Sequence, residues 1–267
     1  MLAASPEGRS MIMILPEHAT FQVEHELASN PDIAGFTRAY VFGFRRLAHR
    51  ILMETGGAVR PHITELGKRI VLNKLLHDHQ ADFKIFHRAA AQRSFADILV
   101  SMIQEFKAYG VSPESLAEVE EQCSDLPIGD KLHDLALVYQ GFENFLQGRY
   151  TDPEDYLTLL AEKIPQSAIL HQAQVWIDGF TWFNPQEAGV VAQLLQNSAS
   201  VTITLCLADA KSGEQASETA LFHRQWDTRR KLLDMARKMG AEVEEVELVQ
   251  TKRFSAPLLG HMEEQLF

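Results

Sequence analysis

Short apolar runs near the two ends of the chain, separated by a long stretch of helical periodicity, limit the folds that this sequence can adopt. Met11–Leu15 and Ala39–Phe44 predict two strands in the first part of the chain. Near the other end, Gln174–Ile177, Ser200–Leu207 and Glu242–Val249 predict three more. A parallel α/β sheet interrupted by an all-helical insertion accounts for this order, and three small consecutive domains are the alternative.

The helical middle is clearest at Phe95–Phe106, where apolar residues recur at i, i+3, i+4, i+7, i+8 and i+11. Ser94 precedes this run and is predicted to cap the helix. The tail from Thr251 onward has no clear period. We therefore expect a first α/β part at residues 1–60, a helical insertion at 61–168 and a return to the α/β part at 169–267.

Charge is distributed unevenly along the chain. The 267 residues include 25 Lys/Arg and 36 Asp/Glu, and the net charge of −11 argues against a protein that coats nucleic acid by bulk charge. Between Phe36 and Gly110, however, 12 Lys/Arg stand against 6 Asp/Glu, a local charge of +6. This excess indicates either an anionic partner or a solvated helical face, and both interpretations stay open.

Cysteine usage and hydropathy exclude several classes of protein. Cys123 and Cys206 are too few for a disulfide framework, a structural zinc site or an iron–sulfur cluster, and they favour a reduced cytoplasmic setting. No apolar run approaches the roughly 20 residues that span a bilayer, so we expect no membrane partner. The segment Met1–Arg9 lacks the features of a signal peptide.

Asp178 is the main candidate for chemistry, because it follows the predicted strand Gln174–Ile177. The carboxyl end of a parallel strand faces the crevice where α/β sheets bind ligands, and phosphate-binding NTPases hold Mg²⁺ there. The next residue is Gly179, where a catalytic Glu usually stands. An Asp that caps the turn after the strand is the alternative interpretation.

The sequence contains neither of the common phosphate-binding loops, G-x-x-x-x-G-K-[ST] and G-x-G-x-x-G. Lys68 follows Gly67 but lies in a helical pattern, so we expect no tight ATP binding by this chain. His77 and His79 are two residues apart and cannot face the same way on a helix, so we expect no metal site.

Several short strings, in order along the chain, resemble one family. They are Leu15-Pro-Glu-His-Ala-Thr-Phe-Gln22, Phe42-Gly-Phe-Arg-Arg-Leu-Ala48, Thr55-Gly-Gly57, Lys131-Leu-His-Asp-Leu135, Glu154-Asp-Tyr-Leu-Thr-Leu-Leu-Ala-Glu162, Ile177-Asp-Gly-Phe180 and Phe183-Asn-Pro-Gln-Glu187. Their order and spacing resemble the amino-terminal part of the AddB family, which belongs to the bacterial AddAB helicase–nucleases that process double-strand DNA breaks.

This resemblance implies a RecA-like parallel sheet of the UvrD-like superfamily 1 helicase type, with a helical insertion. It implies ATP and Mg²⁺ as cofactors of the family and a 4Fe-4S cluster in a carboxyl-terminal nuclease domain. This chain contains no P-loop and no nuclease domain, so we expect it to be part of a longer protein and to hold no cofactor itself. The implied partners are DNA, as a single strand or a duplex end, and an AddA-type subunit in a heterodimer, in the bacterial cytoplasm at the nucleoid.

The resemblance also implies roles for particular residues. Thr20 and Phe21 match a helicase segment that contacts the single-strand backbone, and Phe44, Arg45 and Arg46 match a second one. Asp178 matches the Mg²⁺-binding acid of a degenerate motor site. We therefore expect a helicase-like part that binds DNA in recombinational repair, with no catalytic residue, ATPase or nuclease activity of its own. The alternative is an ATP-independent scaffold domain with a degenerate helicase fold.

Overall fold

The computed structural model describes residues 8–33, 35–57, 60–92, 94–123, 125–207, 219–248 and 256–266. These residues form two compact units. The sheet unit comprises the described parts of Met1–Val41, Gln172–Phe183 and Ser198–Phe267, and the helical unit comprises those of Phe42–His171 and Asn184–Asn197. The division of the chain at residues 60 and 168 stays a prediction.

A four-stranded parallel sheet is the centre of the sheet unit, which confirms the predicted α/β class. Its strands are β1 (Met11–Ile14), β2 (Ala39–Phe42), β3 (Gln174–Ile177) and β4 (Ser200–Ile203), in the order β2-β1-β3-β4. Ile14 is paired with Ile177, and Ile177 with Ile203. The inner side chains of β1 and β3 are almost fully buried, which explains why both strands are apolar runs in the sequence.

The described residues contain ten α-helices. The sheet unit contains α1 (Glu17–Ala28), α9 (His223–Lys238) and α10 (Pro257–Leu266). The helical unit contains α2 (Phe44–Thr55), α3 (Glu65–Asp78), α4 (Phe95–Ala108), α5 (Pro113–Gln122), α6 (Pro127–Leu146), α7 (Tyr156–Lys163) and α8 (Pro185–Asn197). No helix in these ranges is both long and apolar enough to cross a membrane.

The helical unit has its own hydrophobic core, formed mainly by α3, α4 and α6. Leu72, Leu99 and Phe142 are at most 1% exposed and represent the three helices. Asp134 of α6 is also fully buried, and its carboxylate accepts three backbone N–H groups of residues 84–86, each at 2.8 Å. These bonds satisfy the buried carboxylate and hold the loop before α4 on the core.

Strand order reverses in the middle of the sheet. The chain passes from β1 to β2 on one side, whereas β3 is paired with β1 on the other side. Such a reversal opens a crevice at the carboxyl ends of the two central strands, which is the usual ligand site of open α/β sheets. Asp178 follows β3 directly and therefore lies at this crevice.

The prediction of a last strand at Glu242–Val249 is wrong for the described residues. Residues 241–248 have no regular secondary structure, and Val249 lies outside the described residues. Val246 and Leu248 are 73% and 87% exposed, so the apolar positions of the segment are not buried against the sheet. Arg229 of α9 donates to both carboxylate oxygens of Glu245 and links the segment to that helix instead.

Four smaller predictions also need correction. Phe44 starts α2 instead of ending a strand, and β4 ends at Ile203 instead of Leu207. Ser94 has helical backbone angles and its side chain makes no capping bond, because only an N-cap residue outside the helical region can turn its oxygen toward the first turn. The tail without a clear period includes α10, at Pro257–Leu266.

Candidate functional site

Asp178 lies where three strands end. Its backbone N–H donates to the carbonyl oxygen of Ile14 at 3.1 Å, and its carboxylate accepts a hydrogen bond from the hydroxyl group of Thr204. The N–H of Thr204 in turn donates to the carbonyl oxygen of Ile177 at 3.0 Å. Asp178 is therefore part of the hydrogen-bonded edge that joins the ends of β1, β3 and β4, and its side chain is half-buried there.

Gly179 provides a physical reason why no carboxylate follows Asp178. Its φ angle is +82°, which L-residues with side chains rarely adopt. A Cβ atom at this position would lie 3.1 Å from Cδ of Pro16, tighter than ordinary van der Waals contact. A glutamate at position 179 would strain the backbone and press on the proline ring.

The residues at this edge do not fit a tight Mg²⁺–nucleotide site. Asp178 supplies one carboxylate, and the hydroxyl group of Thr204 already binds it. Within the described ranges, no group of three or more His, Cys, Asp and Glu side chains is arranged to hold a metal ion. The sequence also contains no phosphate-binding loop.

Thr20 and Phe21 lie next to each other on α1 but have opposite environments. Thr20 is 4% exposed, and its hydroxyl group donates to the carbonyl oxygen of Glu17 at 2.9 Å. Phe21 is 76% exposed, with its ring 6.2 Å from that of His25. Of the two, only Phe21 presents its side chain to a ligand in this conformation.

The exposed face of α2 carries an unusual concentration of positive charge. Arg45, Arg46, His49 and Arg50 are all exposed along it, and no acidic residue lies among them. Their spacing of i, i+1, i+4 and i+5 places them on one side of the helix. We call these four residues the α2 basic face. Phe44 is only 5% exposed and anchors the start of the helix in the core.

Two acidic residues of the helical unit, Glu54 and Glu154, bear on the charge of the α2 basic face. Glu54, the one acid within α2, accepts the N–H of Ala168 at 2.7 Å and the hydroxyl group of Ser167 at 3.0 Å. Arg45 lies 3.9 Å from the carboxylate of Glu154, but its side chain is 74% exposed. An exposed pair at this distance contributes little to stability.

The same unit also contains two lysines of a different kind. Lys68 and Lys107 have side chains that are 2% and 4% exposed, and both contact Asp152, at 2.9 and 3.1 Å. Lys107 also contacts Glu143 and Asp155, each at 2.8 Å. We call this set, completed by Glu65 and Glu154 around Lys68, the buried ion cluster.

Competition between burial and charge pairing sets the pKa values in this cluster. Burial alone would lower the pKa of Lys107, but the carboxylates of Asp155 and Asp152 outweigh it and raise that pKa above 10.5. Burial would raise the pKa of Asp152, but Lys107 and Lys68 outweigh it and lower that pKa below 3.8. For Asp155 burial prevails, and its pKa is raised. An open cleft of about 530 Å³ borders Asp155, with Arg60 and Tyr150 in its lining.

The predicted site residues divide between the two units. Thr20, Phe21 and Asp178 belong to the sheet unit, and the predicted residues Phe44, Arg45 and Arg46 belong to the helical unit. Sequence reasoning missed His49 and Arg50 of the α2 basic face. The signal was present, because a helix starting near Arg45 brings them to the same side as the two arginines.

Comparisons with known proteins agree on one family. The family model described as "ADDB, N-terminal" matches residues 1–263. The chain is 44% identical over 269 residues to the B subunit of the ATP-dependent helicase/deoxyribonuclease of Heliobacterium modesticaldum, covering 99% of this chain and 22% of that protein. The corresponding subunits from Pelotomaculum thermopropionicum and Bacillus cereus are 41% and 38% identical, over 100% and 98% of this chain.

These relatives are much longer than the chain, which spans 24% of the Pelotomaculum protein and 23% of the Bacillus protein. The match nevertheless extends over nearly every residue of the chain and includes both compact units. The chain therefore belongs to the AddB amino-terminal family.

Proposed function

We propose that this chain is the helicase-like amino-terminal part of an AddB-type subunit and that it binds the phosphate backbone of DNA without powering translocation. The relatives are named as subunits of an ATP-dependent helicase/deoxyribonuclease. An AddA-type partner subunit, action on single strands or duplex ends, and a role in double-strand break repair in the bacterial cytoplasm belong to the same proposal.

The α2 basic face carries this proposal. One side of this helix carries three arginines and a histidine, with no acid among them. This surface is positive, although the chain is acidic overall. Arginine is well suited to phosphate because its planar guanidinium group donates two parallel hydrogen bonds. No side chain caps the amino end of α2, where the helix dipole also favours an anion.

Phe21 supports a single strand as the ligand. A largely exposed aromatic ring on a helix surface is costly to leave in water and is well suited to stacking on a base. Thr20, whose hydroxyl group is bonded within α1, is proposed as a backbone contact only if that bond opens on binding.

The edge at Asp178 supports a passive role rather than a motor role. The positive φ angle of Gly179 and the nearby Pro16 ring disfavour the glutamate that positions an attacking water in related motors. We therefore propose that the purified chain hydrolyses no ATP, with or without DNA. DNA-stimulated release of phosphate by the purified chain would contradict this part of the proposal.

The DNA-binding proposal is tested by titrating a fluorescent single-stranded oligonucleotide at low salt with wild type, Arg45→Ala and Arg46→Ala. We expect each variant to bind several-fold more weakly, because each loses about one phosphate contact. Arg88→Ala and Lys131→Ala remove exposed cations elsewhere in the helical unit and serve as matched controls. Equal affinity of wild type and both α2 variants would overturn the proposal.

A further inference from the structure

The outer face of α9 is a second surface rich in cations, on the other compact unit. Its exposed side chains include five cations: Arg224, Arg230, Lys231, Arg237 and Lys238. Two acids, Asp227 and Asp234, lie on the same face of the helix. The face therefore carries a net charge of +3. We call these five cations the α9 basic face.

The two acids neutralise the middle of this face and leave its ends positive. Asp227 forms ion pairs with Arg230 at 2.5 Å and Lys231 at 2.7 Å, and Asp234 forms one with Arg237 at 3.1 Å. Within the described ranges, neither Arg224 nor Lys238 forms an ion pair. They are 14 positions apart, which is roughly 21 Å along an α-helix at 1.5 Å per residue.

The inner face of α9 holds the helix beside the carboxyl edge of the sheet. Thr228 is 5% exposed, and its hydroxyl group donates to the carbonyl oxygen of Thr181 at 2.9 Å. Thr181 belongs to the segment that follows Asp178, at the crevice of the sheet. The α9 basic face therefore flanks the position where an open α/β sheet presents its ligand site.

Arg229 shows that not every cation of α9 is available to a ligand. Its guanidinium group lies 5.4 Å from the ring of Trp226 and donates to both carboxylate oxygens of Glu245. This arginine holds the segment at residues 241–248 on the helix. The five cations of the α9 basic face have exposed side chains.

We propose that the α9 basic face binds the phosphate backbone of DNA, as a contact separate from the α2 basic face. The identity of the ligand as DNA rests on the proposed function above. Charge complementarity favours this occupant, because a nucleic-acid strand presents a row of anions that matches cations spaced along a helix. An acidic protein surface is the competing occupant, and the experiment distinguishes the two.

The experiment compares the full chain with Arg224→Gln/Lys231→Gln/Lys238→Gln in oligonucleotide titrations at several salt concentrations. We expect about tenfold weaker binding at low salt and a shallower salt dependence, because phosphate contacts are lost. The control Lys74→Gln/Arg88→Gln/Lys131→Gln removes three exposed charges from the helical unit. It should bind within about twofold of wild type, because these positions lie on neither basic face.

Two further variants separate charge from folding. Asp227→Asn/Asp234→Asn raises the charge of the face and should tighten DNA binding several-fold. Arg224→Lys/Lys238→Arg keeps the charge and should bind like wild type. Loss of binding in this charge-preserving variant would show that the glutamine variant acts through structure and would overturn the inference.

The outcomes distinguish this inference from the proposed function. If wild type binds DNA and loses binding with the α2 substitutions but not with the α9 substitutions, the α9 inference alone fails, and an acidic protein becomes the expected occupant. If wild type shows no salt-sensitive DNA binding, both proposals fail.

Discussion

The helical unit uses basic side chains in two different ways. Lys68 and Lys107 are buried beside five carboxylates, with contacts as short as 2.8 Å. Arg46 and Arg50 of the α2 basic face are exposed on a helix surface without an acid among them. The first pair is buried with its acidic partners, whereas the side chains of the second pair are exposed to solvent.

This difference explains why the local charge of +6 in the sequence had two interpretations. Two of its 12 cations are buried inside the fold, because Lys68 and Lys107 compensate the buried carboxylate of Asp152, which lies far away in the sequence. Others, such as Arg69, form exposed pairs, in this case with Asp97 at 2.8 Å. The positive potential of the surface depends on the exposed cations, and α2 carries three of them, Arg45, Arg46 and Arg50.

The largest effect is expected from removing a buried cation. Lys107→Met should lower the free energy of unfolding by about 3–5 kcal/mol, because the buried Asp152 and the partly exposed Asp155 and Glu143 would lose their shared partner. Urea unfolding at pH 7 measures this. Lys74→Met, at an exposed pair with Asp78, is the control and should cost less than about 1 kcal/mol. If the two variants lost similar amounts of unfolding free energy, buried and exposed cations would not differ in their contribution to stability.

The pH dependence of Asp152 tests the same cluster without removing a cation. Its pKa in the folded state lies below 3.8, so its contribution to stability is complete above that pH and is lost as the pH falls through the folded-state pKa. Asp155 has a raised pKa and changes stability in the opposite direction, but only above pH 3.8.

Below pH 3.8, therefore, the gap in unfolding free energy between wild type and Asp152→Asn should shrink. In this range the unfolded wild type takes up a proton at position 152 while its folded state still carries the charge, which favours unfolding of wild type but not of the variant. Urea midpoints at pH 6, 4 and 3 measure this gap. A gap that stays constant with pH would mean that the charge of Asp152 does not stabilise the cluster.

A smaller effect, on binding instead of stability, is expected from an exposed cation. Arg50→Gln should weaken binding of a single-stranded oligonucleotide by roughly 3–10-fold at low salt, because one phosphate contact is lost. The urea midpoint should not move, since the side chain is exposed. A fall in stability without a change in affinity would mean that Arg50 stabilises the fold and does not bind DNA.

The smallest effect is expected at an exposed cation that already has an acidic partner. Arg69→Gln removes the pair with Asp97, whose side chain is about as exposed as that of Arg69. DNA affinity should stay within about twofold of wild type, and stability within about 1 kcal/mol. A loss of affinity as large as that of Arg50→Gln would mean that exposure alone, and not the clustering of cations on one helix face, determines DNA binding.

Local patterns in the sequence predict much of the fold. The strand at Gln174–Ile177 has the same bounds in the structure, and the first strand differs by one residue. Both are buried central strands. Their apolar pattern can therefore be recognised without knowing the rest of the chain. The segment at Glu242–Val249 has a similar local pattern but is not paired with the sheet in its described residues, because a strand also needs a partner.

The candidate site follows the same rule. Arg45 and Arg46 could be selected from the sequence, and helical spacing would have added His49 and Arg50. The burial of Lys68 could not be predicted, because its partner Asp152 is 84 positions later in the chain and meets it only in the folded unit. Likewise, the positive φ angle of Gly179 depends on how β3 ends beside Pro16.

The salt dependence of DNA binding tests the central claim most directly. The equilibrium constant for a single-stranded oligonucleotide would be measured between about 50 and 200 mM salt for wild type and for Arg45→Gln/Arg46→Gln/Arg50→Gln. If the exposed cations of α2 bind phosphates, the slope of log K against log salt should become shallower by about 2, at about 0.7 per lost contact. An identical slope for the two proteins would contradict the account.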